Sequence, residues 1–388
     1  MKEKLSQAIK AIPPSVIGRP SYRFHEAQDV ISLGIGEPDF TTPEAVCQAA
    51  LADAQAGHTH YTSSQGDPEL LEALAAYINE TYGLALNPLN ILVTAGGMGG
   101  MIAFFQAVLA PGDEVLAPEP YFAPYLRNIE FAGGKMIPIP TRFEDKFRFG
   151  IESVEQAISP RSKVLLLNSP NNPTGMVIPS STLRELARLA RENDLLVLSD
   201  EVYNRFVFHD RPHESIYTLP EMAERTVVID SFSKTFAMTG WRLGWAFGPE
   251  WLINAMRVVA GYSTISACSV SQRAALAALR LDPNTIEGMI KTFERRLDLV
   301  YQHLQHIPGV KAHKPEGTFY LFPNIREVTS DSRDFASKLL QKEQVVVFPG
   351  AAFGSSGEGC IRLACTVPEP KLEHAMKRLR RFIENYAN

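Results

Sequence analysis

The chain has 388 residues, enough for two domains, and its 45% hydrophobic and 21% charged residues are typical of a soluble globular protein. Its 38 basic and 43 acidic residues give a net charge of −5 without a long run of one sign, which argues against nucleic acid or an anionic membrane as a partner. The N-terminus lacks the apolar core of a signal peptide and no apolar run approaches membrane-spanning length, so we expect a cytoplasmic protein.

The cysteines and histidines predict neither a disulfide framework nor a metal site. The four cysteines show no CxxC spacing, and the histidines form no HExxH motif. Such cysteine usage suits a reduced interior.

The first forty residues predict a short helix that ends at Pro13-Pro14, an irregular arm, and then the segment ISLGIGEPDF. Apolar residues alternate in this segment as in a strand, before glycines and a proline interrupt it. Gly36 would allow a backbone N–H to approach a ligand anion, although a plain turn explains the same residues.

Two helix starts follow, on either side of a loop. Thr42 and Asp67 each precede a proline, and this pattern predicts a capping side chain with proline at the first helical position. Tyr61 lies in the loop between the two helices, where a lone tyrosine is usually structural.

NILVTAGGMGG combines a strand (Ile91 to Val93), the pair Gly96-Gly97 and a helix from about Met98 to Leu109. This arrangement offers free backbone N–H groups and the positive end of a helix to a phosphate. It is neither GxGxxG nor a P-loop, which argues against a dinucleotide or a nucleoside triphosphate. A tight strand-to-helix turn is the competing interpretation.

Apolar strands alternate with amphipathic helices through the middle of the chain, which predicts a parallel sheet covered by helices. Asn172 lies in a turn-rich loop after one such strand, and Asp200 stands at the end of LLVLSD. An unpaired buried carboxylate is costly, so Asp200 needs a partner, and a cationic pyridine nitrogen would be suitable. Tyr121, Phe122 and Tyr125 could form a flat wall beside a ring, or simply pack into the core.

SFSKTFAMTGWR (Ser231 to Arg242) follows the apolar strand TVVID. The Lys234 amine can form a Schiff base with an aldehyde, while Ser231, Ser233 and Arg242 can bind a phosphate. Pyridoxal phosphate is the cofactor that combines an aldehyde with a phosphate. Taken by itself, the segment is also explained by a serine pair at the start of a helix, followed by a surface lysine and a surface arginine. However, Gly96-Gly97, Asn172, Asp200 and Lys234 all lie just after strands. Ligands of doubly wound sheets bind at these strand ends.

Six motifs in order, GEPDF, AGG, SPNNPTG, SDEVY, SFSKTFAMTGWRLG and IRLA, resemble those of fold-type-I pyridoxal phosphate-dependent aminotransferases of class I and II. The resemblance covers nearly the whole chain and is to the branch with prokaryotic aspartate and aromatic aminotransferases. It implies an α/β fold, with a mostly parallel seven-stranded sheet covered by helices in a large domain and a smaller α+β domain. We expect the large domain at residues 44–280 and the small domain at residues 1–43 plus 281–388.

The resemblance also implies roles for individual residues. Lys234 would bind the cofactor and transfer the proton at Cα, Asp200 would pair with the pyridine nitrogen, and Tyr203 would contact the ring's phenolate oxygen. Other cofactor contacts would come from Gly96, Gly97, Met98, Phe122, Asn172, Ser231, Ser233 and Arg242. Arg362, Asn172 and Gly36 would bind the substrate carboxylate. Tyr61 would reach the phosphate of the other subunit, which implies a homodimer with shared sites.

The implied reaction is a ping-pong transfer of an amino group from an L-amino acid to a 2-oxo acid, with 2-oxoglutarate expected as acceptor. A C–S β-lyase of the cystathionine type is the alternative, because the same residues support elimination. Met98 and Phe122 depart from relatives that carry a polar residue or tryptophan there. No motif indicates a second arginine for a distal carboxylate. Arg19, Arg23 and Arg273 are candidates only, each equally explained as a surface residue, so an aspartate donor is in doubt. The few residues before GEPDF leave no room for the DNA-binding domain of a cofactor-responsive regulator.

Overall fold

The computed structural model describes residues 29–386 except 149 and 210, together with Lys4 and Ile9. Most of the predicted N-terminal helix, and the candidates Arg19 and Arg23, therefore lie outside the described residues. Within the described part of the chain, no helix has the length and apolarity needed to cross a membrane.

The described residues form twelve strands. In chain order they are β1 (Ile31–Ser32), β2 (Ile91–Thr94), β3 (Glu114–Glu119), β4 (Lys135–Pro140), β5 (Ser162–Asn168), β6 (Leu196–Asp200), β7 (Thr226–Ser231), β8 (Gly244–Phe247), β9 (Tyr320–Leu321), β10 (Val345–Val346), β11 (Phe348–Pro349) and β12 (Ile361–Ala364).

The same residues form twelve α-helices. They are α1 (Glu44–Gln55), α2 (Pro68–Tyr82), α3 (Gly96–Val108), α4 (Pro124–Phe131), α5 (Ile151–Ala157), α6 (Ser180–Glu192), α7 (Phe232–Thr235), α8 (Glu250–Thr264), α9 (Ser269–Ala278), α10 (Pro283–Gln305), α11 (Ser332–Glu343) and α12 (Glu369–Glu384).

Seven strands form one sheet in the order β2-β8-β7-β6-β5-β3-β4. Strand β8 runs antiparallel to both of its neighbours, and the other pairs are parallel. Successive residues of β5 enter two different cores, since Leu166 packs with α3 and α8 while Leu165 packs with α6. Both faces of the sheet are thus covered, which explains its apolar strands. The expected mostly parallel, helix-covered sheet is confirmed.

A second set of short strands lies apart from this sheet. Strands β11, β12 and β9 form an antiparallel sheet, and β1 pairs with β10 in parallel. Helices α10, α11 and α12 share one core with these strands, which Ile31 and Leu33 also enter. The division into residues 44–280 and residues 1–43 plus 281–388 stays a prediction.

The two predicted helix starts have different outcomes. Asp67 caps α2, because its Oδ1 accepts a hydrogen bond from the Glu69 amide at 2.9 Å. Thr42 does not cap α1, so that prediction is wrong. Its hydroxyl instead donates to the Ala237 carbonyl at 2.7 Å, a long-range partner that local sequence does not reveal.

An ion pair between a buried arginine and an aspartate fixes the segment that carries Gly36. Arg296 on α10 is 6% exposed and donates to both oxygens of Asp39, at 2.7 and 3.0 Å. Its guanidinium also lies 5.6 Å from the centre of the Phe40 ring. A bidentate pair of this kind defines orientation as well as position, so the backbone around Gly36 is held against α10.

Candidate functional site

A cavity of about 400 Å³ opens where β6 and β7 end, at Asp200 and Ser231. This is the edge of a doubly wound sheet where ligands bind. The structure brings twelve of the predicted site residues to its lining: Gly36, Gly97, Met98, Phe122, Asn172, Asp200, Tyr203, Ser231, Ser233, Lys234, Arg242 and Arg362.

Lys234 lies on the single turn of α7, immediately after β7. Its Nζ donates a hydrogen bond to the Gly36 carbonyl at 2.5 Å and lies 5.8 Å from the centre of the Phe319 ring. Burial lowers the pKa of Lys234 to about 8, and the positive charges of Arg362 and Arg242 act in the same direction. A substantial fraction of this amine is therefore neutral near pH 8, as a nucleophile must be.

Asp200 is 4% exposed at the end of β6. Its Oδ2 accepts a hydrogen bond from the Tyr125 hydroxyl, and its Oδ1 accepts one from the Val202 amide at 3.3 Å. Burial raises the pKa of Asp200 to about 6. The carboxylate is thus mostly ionised at neutral pH and would bind a cation placed in the cavity.

The anion-binding end of the cavity lies at the start of α3. This helix begins at Gly96, two residues before the predicted start, so the glycine pair itself forms the first turn. Gly96 has φ +72°, and a Cβ there would lie 2.8 Å from Nη2 of Arg242. Only glycine permits that approach. Ser231 and Ser233 are joined by a hydrogen bond of 2.8 Å at the start of α7.

Arg362 on β12 forms a second cationic group at the cavity and is 5% exposed. Its Nη1 donates to Oδ1 of Asn172 at 2.9 Å, and its Nη2 donates to the Gly34 carbonyl at 2.5 Å. The guanidinium lies 4.4 Å from the centre of the Tyr320 ring. Its buried Nε has no hydrogen-bond partner among the described residues, so this group retains capacity for an anion.

Tyr203 is also buried, and its hydroxyl lies 2.9 Å from that of Tyr320. Burial raises the pKa of Tyr203 well above its ordinary value, so the phenol is protonated and can donate a hydrogen bond. The Tyr320 hydroxyl in turn fits only beside a glycine, because a Cβ on Gly36 would lie 1.6 Å from it.

Three sequence expectations need correction or lie elsewhere. Phe122 and Tyr125 form no flat wall, since their rings meet at 84° and only Phe122 lines the cavity. Arg273 does not line the cavity, because Asp53 and Glu69 bind its guanidinium at 2.8 and 3.1 Å. Tyr61 is 80% exposed and does not line the cavity.

The sequence reading missed several residues at the site. Tyr320 and Glu37 line the cavity, and Tyr125, expected only as part of an aromatic wall or of the core, forms a hydrogen bond to Asp200. A tyrosine inside the apolar segment GTFYLFPNI is the only signal that could have indicated Tyr320. The described residues contain no group of histidines, cysteines and carboxylates that could bind a metal ion.

The residues present fit pyridoxal phosphate. Lys234 supplies a buried amine of lowered pKa, and Asp200 supplies a buried carboxylate. Arg242 and the start of α3 offer an anion site beside Gly96, while Arg362 has an unpaired Nε for a second anion. A cavity of this size is ordinary for a cofactor.

Comparisons with known proteins agree with this geometry. The family model for aminotransferase class I and II matches residues 28–379. The chain is 38% identical to an aspartate aminotransferase of Pyrococcus abyssi and 38% identical to aromatic-amino-acid aminotransferase 2 of Thermococcus litoralis, with 98% of each chain covered in both cases. The Thermus thermophilus aspartate aminotransferase with maleate matches with a TM-score of 0.91 at 37% identity, covering 97% of this chain and 99% of that one.

The lowered pKa of Lys234 predicts how loading with pyridoxal phosphate depends on pH. The neutral amine is the reactive form, so its fraction rises about tenfold per pH unit below the pKa and levels off above it. We expect the loading rate of the cofactor-free protein, followed by absorbance, to rise between pH 7 and a plateau just above pH 8. A rate that climbs steadily to about pH 10, the ordinary range of a lysine, would contradict the assigned environment.

Proposed function

The chain belongs to the family of class I and II aminotransferases, and we propose that its amino donor is an L-amino acid with a neutral, apolar side chain. Family membership confirms the expected pyridoxal phosphate-dependent transfer of an amino group to a 2-oxo acid. The alternative C–S β-lyase activity is not favoured by these comparisons. The proposal for the donor is based on the composition of the cavity wall.

When bound, pyridoxal phosphate supplies an aldehyde that takes up the amino group and a ring that withdraws electrons from Cα. We assign Lys234 to move the proton at Cα, Asp200 to keep the ring nitrogen protonated, and Tyr203 to donate to the ring's phenolate oxygen. All three residues line one cavity, and Asp200 and Tyr203 are buried, which supports these roles. Phe122 would stack on the ring, and Asn172 would contact both the ring oxygen and Arg362.

The two cationic ends of the cavity would bind the two anionic groups. We assign the phosphate to Gly96, Gly97, Met98, Ser231, Ser233 and Arg242, since they surround the start of α3. Arg362 would bind the α-carboxylate with Asn172 and the Gly36 N–H, because its Nε is buried and unpaired within the described residues.

These assignments leave no cation for a second substrate carboxylate among the described residues of the cavity wall. Among the described residues that line it, the cations are Lys234, Arg242 and Arg362. Most of the remaining wall is apolar or aromatic and includes Ile35, Met98, Met101, Phe122, Phe348 and Phe353. A dicarboxylic donor would bury a charge without a partner, which is costly. By the same reasoning, 2-oxoglutarate, which stays a prediction, should be compared with a monocarboxylic 2-oxo acid such as pyruvate.

The donor proposal is tested by the absorbance of the loaded protein, with single L-amino acids added and no acceptor present. We expect phenylalanine, leucine or methionine to convert the visible band with a kcat/KM about tenfold or more above that of aspartate, the factor that about 1.4 kcal/mol of lost binding gives. Lys234→Ala is the control and should show no conversion. Faster conversion by aspartate than by every neutral donor would refute the proposal.

We also propose that the protein is a homodimer whose subunits share active sites. Tyr61 is 80% exposed, Tyr262 is 93% exposed and Ile265 is 53% exposed. They lie on one surface, because a Cβ on Gly261 of α8 would be 3.5 Å from Cβ of Ser64 in the Tyr61 loop. Such an exposed patch is typical of a subunit interface.

The four free cysteines support a reducing, cytoplasmic location.

Mixing two defective variants tests the shared site. Tyr61→Phe should weaken cofactor binding, and Lys234→Ala should abolish turnover. If Tyr61 acts on the partner's site, a mixed dimer contains one intact Lys234 facing one intact Tyr61. Random exchange between two-fold dimers then restores about one quarter of wild-type activity at limiting cofactor. No recovery despite verified subunit exchange would place Tyr61 outside the shared site.

A further inference from the structure

Tyr125 is the feature that the roles above leave unexplained. It lies in the first turn of α4 and is 1% exposed, and its hydroxyl donates a hydrogen bond to Oδ2 of Asp200. The two residues are 75 positions apart in the chain. A tyrosine in an apolar core needs a partner for its hydroxyl, but here the partner is the carboxylate proposed to bind the cofactor ring.

The same tyrosine contacts the residue proposed to stack on the ring. The Phe122 and Tyr125 rings are edge-to-face, with centres 5.4 Å apart and planes at 84°. Tyr125 therefore contacts two residues of the proposed cofactor site: the ring of Phe122 and the carboxylate of Asp200. Neither contact involves the cavity directly, since Tyr125 does not line it.

The hydrogen bond acts against the effect of burial on Asp200. Burial favours the neutral carboxyl group, whereas a phenol that donates to the carboxylate favours the ionised form. The Val202 amide and the charge of Lys234 assist in the same direction, while the neighbouring charge of Glu201 opposes them. Tyr125 itself is held protonated, because burial and the Asp200 charge raise its pKa well above the ordinary value. It therefore stays a donor across the working pH range.

Orientation follows from the same contacts. Tyr125 holds Oδ2 from one side and the Val202 amide holds Oδ1 from the other, so the carboxylate plane is fixed. An ionised carboxylate has about four acceptor sites, and these two hydrogen bonds use two of them, so acceptor capacity is left for a ring nitrogen in the cavity. The arrangement resembles the orienting group behind a metal-bound histidine, in which an outer contact sets the direction of the inner one.

We propose that Tyr125 is a positioning residue for the amino-transfer reaction, which keeps Asp200 ionised and aimed at the pyridine nitrogen of the cofactor. This inference rests on the role proposed above for Asp200. The tyrosine touches neither substrate nor cofactor, so its effect should be transmitted through Asp200 alone. It should alter how the ring is held and protonated, and leave the binding of the amino-acid carboxylate at Arg362 unchanged.

The test uses Tyr125→Phe, which keeps the ring against Phe122 and removes only the donor. We expect the dissociation constant of pyridoxal phosphate to rise about tenfold and kcat to fall by a similar factor, as for loss of a hydrogen bond to a charged group. The KM of the donor should change little. A less protonated ring withdraws fewer electrons, so the pH midpoint of the bound cofactor's absorbance should move upward.

Tyr121→Phe is the matched control, since Tyr121 is buried in the same core without a hydrogen bond to Asp200. It should leave the dissociation constant and the pH midpoint at wild-type values. A second comparison places Tyr125→Phe in an Asp200→Asn background. If Tyr125 acts through Asp200, the added substitution should weaken cofactor binding far less there than in the wild type.

Each outcome decides the matter. A Tyr125→Phe protein with a lower melting temperature but an unchanged dissociation constant and pH midpoint would make Tyr125 an ordinary core residue. Equal changes in Tyr121→Phe, or full additivity with Asp200→Asn, would also overturn the proposal. If the wild-type protein itself forms no visible band with pyridoxal phosphate, the assignment of Lys234 fails first and this inference falls with it, which separates the two failures.

Discussion

Burial of opposite charges around one cavity is the constraint on which the site depends. Removal from water disfavours the charged forms of both Lys234 and Asp200, and it moves their pKa values towards each other, to about 8 and about 6. The lysine thereby approaches a reactive neutral amine, and the aspartate stays ionised enough to bind a cation. Neither condition would hold for the same side chains on an exposed surface.

The fold maintains this balance by bringing polar groups only to the ends of apolar strands. Strands β5, β6 and β7 are covered on both faces, and their polar residues lie towards the strand ends rather than in the middle. Asp200 and Ser231 are the last residues of β6 and β7. The second group of strands then closes the cavity with Arg362 and Tyr320, while the Arg296–Asp39 pair fixes the segment around Gly36. The charged residues of the cavity thus lie on helices or strands, or on loops that these elements hold in place.

Local patterns were sufficient to predict a helix-covered parallel sheet and the polar residues at the ends of its strands, whereas Met98, Tyr203 and Arg362 were expected at the cavity only from the family resemblance. Short apolar runs such as β5 that alternate with amphipathic helices predict parallel strands, and the polar residues that follow such strands meet at one edge of the sheet. Side-chain partners distant in sequence were not predictable. Thr42 binds a carbonyl 195 residues away rather than capping α1, and Tyr125 finds Asp200 across 75 residues. Arg273 looked available until the fold placed Asp53 and Glu69 around it.

The identity of the lysine that binds the cofactor carries the whole account of the site. Borohydride reduction of the protein loaded with pyridoxal phosphate, followed by digestion and mass spectrometry, would locate the attachment covalently. The burial and lowered pKa of Lys234 predict the phosphopyridoxyl group on Lys234 alone, and no labelled peptide from Lys234→Ala. A stoichiometric label on any other lysine, in protein that still transfers amino groups, would contradict the account.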